Sequence, residues 1–133
     1  MFEMKDEYFT GVEVIDEQHS KLIEIAEMVY QLLQNEFMVD KFDQIVALLK
    51  ELKEYTIYHF ATEEEYMEKN GYVKLFAHRL RHREFIKKLE SVDFEHMEEN
   101  QEKSLDELLN FLVNWLVDHI INMDKKMVED NSN

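Results

Sequence analysis

Residues 41–69 read KFDQIVALLKELKEYTIYHFATEEEYMEK, and the fold turns on that stretch. Phe42, Ile45, Leu48, Leu49, Leu52, Tyr55, His59, Glu63 and Met67 recur at intervals of three and four, the period at which side chains return to one face of an α-helix. Asp40 in front is a capping candidate and Asn70-Gly71 behind is a stop, so the pattern predicts a helix over about 41–69. In its second half the stripe changes chemistry, because His59 and Glu63 stand where Ile and Leu stood before. Polar groups on an apolar stripe are costly to bury unless they are satisfied together.

The same period appears on both sides of this stretch. Leu22, Ile23, Ala26, Val29, Tyr30, Leu33 and Phe37 predict a helix over about 17–37. Leu75, His78, His82, Phe85, Ile86 and Leu89 predict another over about 73–89. Ser104 and Glu107 have capping-box spacing, and Leu105, Leu108, Leu109, Leu112, Leu116, His119 and Met123 follow, predicting a fourth helix over about 104–127. The polar segment 91–103 reads as a loop, and residues 1–16 as an arm without helical period, bent at Gly11. Four helices with mostly short connections give an all-α, antiparallel up-down-up-down bundle with an N-terminal arm, one domain over 1–133.

Composition agrees. The 133 residues include two glycines and no proline, where average usage supplies about nine and about seven, so the turns that many short strands require are missing. There is no cysteine, which excludes disulfides, thiolate metal sites and cysteine nucleophiles. A bound metal must sit on nitrogen and oxygen. Thirty acids against 15 bases give a net charge of −15, the wrong sign for nucleic acid or an anionic membrane surface. No apolar run approaches the roughly 18 residues of a membrane span, and the acidic start MFEMKDEYF lacks a signal-peptide core, so the expected location is the cytoplasm.

The histidines test the topology. With the start of the first helix called the bottom, His19, His59, Glu63, His78, His82, His119 and Asp124 all fall within roughly the lower 15 Å of the bundle, at 1.5 Å per residue. His96 falls in the top loop and stands apart. His59 with Glu63, and His78 with His82, are four residues apart and share a face. His119 and Asp124 are five apart, and reach one centre only from its two flanks or through a local widening of the turn. In a chain this acidic a histidine followed four residues later by an acid is common; the joint pattern on four helices is not.

Five histidines and two carboxylates exceed one tetrahedral or octahedral centre but suit two metals with the carboxylates as bridges. Such imidazole-rich sites suit iron, with zinc, copper and manganese as chemical competitors. The Glu-x-x-His pairs of ferritin-like bundles and the His-Glu-x-x-His of zinc proteases are both absent.

Four segments, GVEVIDEQHSKL around His19, YTIYHFATEEEYM around His59 and Glu63, GYVKLFAHRLRHREF around His78 and His82, and FLVNWLVDHIINMD ending in Asp124, resemble the hemerythrin family, specifically its bacterial single-domain members, over nearly the whole chain. The resemblance implies two irons bridged by an oxo or hydroxo group and by the carboxylates of Glu63 and Asp124. It implies that His78, His82 and His119 fill one iron, and that His19 and His59 hold the other, whose open position binds dioxygen. Leu22, Phe60, Trp115, Leu116 and Ile120 match the family's dry oxygen pocket. The sequence departs from the family pattern at Met4, at Val73 after Gly-Tyr, and at Met127, where aromatic, proline and tyrosine are usual.

The implied function is reversible oxygen binding for carriage, storage or delivery, with no catalytic residue required. The alternative at the same site is oxygen or peroxide consumption, or redox and oxygen sensing. Either leaves room for a partner protein, an electron donor or an oxygen acceptor.

Overall fold

The computed structural model describes residues 2–131. Six α-helices follow a single 3-10 turn, Asp6–Tyr8: α1 (Glu13–Gln34), α2 (Phe42–Lys69), α3 (Leu75–Glu90), α4 (Phe94–Glu99), α5 (Gln101–Asp118) and α6 (Lys125–Asn131). A six-residue π-turn, His119–Asp124, joins α5 to α6, so that residues 101–131 form one continuous rod. No strand occurs among the described residues. Helix α2 packs on α1 and α3, and α1 packs on α5. Side chains close the fourth side of the bundle, with Phe85 of α3 4.2 Å from Trp115 and 5.4 Å from Phe111, centroid to centroid. No helix among the described residues is long and apolar enough to cross a membrane.

Several boundaries differ from those the sequence predicts. Helix α1 starts at Glu13 rather than near 17, because its first six residues bury Ile15, Asp16 and Gln18, two of them polar and invisible to a hydrophobic period. No side chain caps that start. Instead Asp16 folds the arm back onto the helix, accepting from Thr10 N and Oγ1 at 2.8 Å and from Gly11 N at 3.1 Å. Gly11 makes the bend at φ +90. The helix ends at Gln34, short of 37, and Phe37 is fully exposed instead of continuing the core stripe.

The segment 91–103 is not a loop. Asp93 caps α4 by accepting from His96 N, and Met97 alone anchors that short helix in the core. Helix α5 then begins at Gln101, with Ser104 N already bonded to Asn100 O, so the Ser104–Glu107 pair lies inside the helix rather than at its cap. The rod runs on past 127 to 131. The stop at Asn70-Gly71 is as expected: Gly71 sits at φ +62, its N–H bonds Glu68 O, and Tyr72 N reaches back to Met67 O at 2.9 Å. Those two bonds form a Schellman turn, with Tyr72 packed on Met67.

The interior has two apolar parts. The larger holds Leu22, Val29, Ile45, Phe60, Phe85, Leu112, Leu116 and Ile120 among others. The smaller, at the bottom, consists of Ile15, Met67, Tyr72 and Met127. Along α1 the order is Ile15, His19, Leu22; along α2 it is Phe60, Glu63, Met67; along the rod it is Ile120, Asp124, Met127. Each element therefore places its polar residue in the gap between the two parts.

Candidate metal centre

That gap holds all seven residues singled out by their spacing. His19, His59, Glu63 and Asp124 are 0% exposed, His119 1%, and His78 and His82 3%, a burial unusual for charged groups without a shared partner. Glu63 stands in the middle. Its Oε1 lies 2.6 Å from His59 Nε2 and 3.3 Å from His19 Nε2; its Oε2 lies 3.1 Å from His82 Nε2 and 3.0 Å from His119 Nε2. His59 and His19 thus lie nearest one oxygen and His82 and His119 nearest the other, with His119 Nε2 also 3.4 Å from Oε1. Asp124 Oδ2 spans the two sets, 2.8 Å from His19 Nε2 and 3.0 Å from His119 Nε2.

The π-turn makes the last pair work. His119 and Asp124 are five residues apart, about 140° around an α-helix, and the wider turn returns them to one face. Two donor groups form as a result, one of His19, His59, Glu63 and Asp124, the other of Glu63, His82 and His119, sharing Glu63. His78 belongs to neither group; it lies beside them, its ring centroid 6.1 Å from that of His82. His96 is exposed on α4, away from the centre.

These groups fit cations better than they fit one another. Two donors at right angles on one cation, each about 2.1 Å from it, are about 3.0 Å apart, the scale of the nitrogen–oxygen separations here. His59 Nε2 and His82 Nε2 approach Glu63 that closely yet lack the angle of a hydrogen bond. Among the described residues, the buried side-chain atoms without a hydrogen-bond partner are His19 Nδ1, His59 Nε2, His78 Nδ1, His82 Nε2, His119 Nδ1 and Asp124 Oδ1, every one in this constellation. Each such orphan costs about 1–3 kcal/mol unless something supplies the missing partner.

The electrostatics point the same way. Burial alone would depress His19, but hydrogen bonds to Asp124 and Glu63 outweigh it and raise the imidazole to about 9. Burial likewise opposes the charge on His119, and the fields of Asp124 and Glu63 lift it to about 10. Burial would raise Glu63, yet His59 and His119 hold it well below the usual carboxylate range. His78, which burial dominates, is lowered. The carboxylates demand positive charge, and protons on imidazoles or cations between them are the two ways to provide it.

Residues outside the constellation orient it. His59 Nδ1 donates to Gln18 Oε1 at 2.7 Å, which turns Nε2 toward Glu63. Gln18 Nε2 is itself held by Thr62 Oγ1 at 3.1 Å. His82 Nδ1 donates to Glu64 Oε2 at 3.2 Å, and Arg79 Nε fixes the other oxygen of Glu64 at 2.8 Å. The sequence reading missed Gln18 and Glu64. The signal available was their adjacency to His19 and Glu63, but adjacency does not say which way a helical neighbour points.

Of the predicted pocket residues, Leu22, Phe60, Leu116 and Ile120 are buried and Trp115 is half-buried. Phe60 stacks on His82 at 3.9 Å and Trp115 on His119 at 4.4 Å, so aromatic rings brace two of the imidazoles.

Comparison with known proteins agrees with this centre. The family described as Hemerythrin HHE cation binding domain matches residues 10–129. A bacteriohemerythrin of Clostridium acetobutylicum is 46% identical over 129 residues, 97% of this chain and 100% of that one. Bacteriohemerythrins of Pseudomonas paraeruginosa and Stenotrophomonas maltophilia are 34% identical over 85 and 88 residues, 64% of this chain. Against those two the match spans only 53% of their length.

Proposed function

The chain belongs to the hemerythrin family, and from that premise we propose that it holds two iron ions and binds dioxygen reversibly at one of them, for carriage, storage or delivery. His78, His82 and His119 would fill one iron; His19 and His59 would hold the other and leave a position open. Glu63 and Asp124 would bridge the pair together with an oxo or hydroxo group. The observation that carries this reading is Glu63, which two donor groups share, with His59 nearest one of its oxygens and His119 nearest the other. When bound, the iron pair supplies the two electrons that dioxygen takes up on binding and returns on release.

The chain's own residues do the rest. Gln18 and Glu64 hold two imidazole rings by Nδ1, so that Nε2 of each would face a cation beside Glu63. Leu22, Phe60, Leu116 and Ile120, all buried, exclude water from the side of the centre facing the main core. A dry wall whose side chains carry no ionisable proton favours reversibility, because excluding water and proton leakage suppresses side reactions at such a centre. Ile15, Met67, Tyr72 and Met127 close the other side.

Iron analysis of the purified protein, with absorption spectra cycled between anaerobic and aerobic conditions, tests the reading. About two irons per chain and a charge-transfer band that appears with oxygen and vanishes on its removal are expected. Immediate, irreversible conversion to the ferric form would replace oxygen carriage with oxygen or peroxide consumption, or redox sensing.

A further inference from the structure

Helix α3 and the turn before it carry a charge opposite to that of the molecule. Residues 74–88 hold six bases, Lys74, Arg79, Arg81, Arg83, Lys87 and Lys88, against the single acid Glu84, a local +5 on a chain of total −15. All three arginines of the chain are there. With two acids available for every base, surface cations should find carboxylates. Arg79 does, through Glu64. Arg81, Arg83, Lys87 and Lys88 are exposed and meet no carboxylate at ion-pair distance among the described residues.

The unpaired charge is organised. Phe76, Leu80, Arg83 and Lys87 follow at intervals of four, three and four, a single line along the helix, and Phe76 is 70% and Leu80 43% exposed. His78 and His82 occupy the opposite, inner side. Beside the line, a cleft of about 510 Å³ opens between α2 and α3, where Arg79, Arg83 and Lys87 outnumber the two carboxylates of the lining, Glu64, which Arg79 holds, and Glu90, which Lys53 meets at 3.8 Å. Its floor includes the Phe60 ring stacked on His82, and His82 Nε2 is 3.1 Å from Glu63.

We propose that this face docks a small electron-carrying protein through an acidic patch flanked at one end by an apolar one, the acids meeting Arg83 and Lys87 and the apolar part meeting Phe76 and Leu80. The inference rests on the iron reading above. Charge decides the partner. At physiological ionic strength the screening length is about 8 Å, so a small partner confined to this face senses the local positive charge, whereas a long polyanion also meets the acidic remainder. At each encounter the partner is oxidised by one electron and one ferric ion is reduced to ferrous, so two encounters return an oxidised pair to the oxygen-binding state.

The test uses the full, iron-loaded, oxidised protein with a reduced, acidic [2Fe–2S] ferredoxin as probe, mixed in stopped flow at rising salt. The Arg83→Glu, Lys87→Glu double variant should slow reduction by about tenfold or more at about 0.15 M salt, where screening isolates this face from the acidic remainder. The Lys50→Glu, Lys103→Glu pair changes net charge equally at other exposed positions and should leave the rate within about twofold. Reduction by dithionite should be the same in all three proteins. Equal slowing in both double variants, or none in the first, overturns the docking face. So does binding of phosphatidylserine vesicles or duplex DNA through Arg83 and Lys87 when ferredoxin does not bind. Failure of the iron reading would show separately, as absence of iron or of ferric absorption, while anisotropy of labelled ferredoxin still reports docking.

Discussion

At the scale of single residues, the centre separates donors from ordinary histidines. His82→Ala removes a nitrogen facing Glu63 and should leave a largely helical protein that loses most of its iron, whereas His96→Ala, on the exposed face of α4, should retain it. Metal analysis with circular dichroism checks both, and equal loss would remove the assignment. Gln18 acts through His59 rather than on the cation. Gln18→Leu leaves a buried imidazole N–H without its acceptor, and iron affinity should fall about 10–100-fold, as for other residues that orient metal ligands. Gln18→Glu, which accepts the same hydrogen bond, should recover most of it; competition with a chelator measures the series. Legibility at this scale splits along the same line. The two donor groups were legible as candidates because their residues, with His78 beside them, share one level of the bundle. Gln18 was not, because its partner lies 41 residues away on another helix. Glu64 sits in the run Glu63-Glu64-Glu65, and only packing decides which acid turns inward.

At the scale of the element, the π-turn is the feature that a helical period does not describe. It absorbs one residue between His119 and Asp124 while keeping Ile120 above and Met127 below on the inner side. Removing the exposed Asn122 should let the segment relax to α-helix with His119 and the aspartate four apart, again on one face, and iron content should persist. Removing the exposed Asn114 instead swings His119 about 100° relative to α5 and should strip most of the iron. Iron per chain in the two deletion variants decides this. The long helices were legible because each buries a regular stripe. Helix α4 was not, since Met97 alone is buried there, and the start of α1 was not, since two of its three inward residues are polar.

For the molecule as a whole, buried charge predicts a pH dependence that differs with and without metal. In the iron-free chain His19 and His119 are raised from 6.5 to about 9 and about 10. Their protonation stabilises the fold fully below about 6.5, and that contribution is lost as pH rises through the raised values. Glu63, lowered, works in the opposite sense and its contribution is lost on acidification. The iron-free melting temperature should therefore fall between pH 7 and 10, while the iron-loaded protein, whose imidazole lone pairs are taken by metal, should stay flat over that window. Thermal melts by circular dichroism at several pH values check it. The bundle itself was legible in four separate periods. The positive face on α3 was legible only as a count of arginines, because which charges remain unpaired depends on what packs beside them.

The donors are spread along the chain, and His19 meets Asp124 across 105 residues. A growing chain thus presents them in sequence. His19, His59 and Glu63 come together when the first two helices pair, offering a partial and exchangeable nest for whichever divalent ion is abundant. The nest becomes a closed centre only when the rod carrying His119 and Asp124 docks, which is the contact of greatest loop length and so among the last to form. If ions load while the chain folds, ion choice would be made in two stages, loosely as the first helices pair and strictly when the last helix docks.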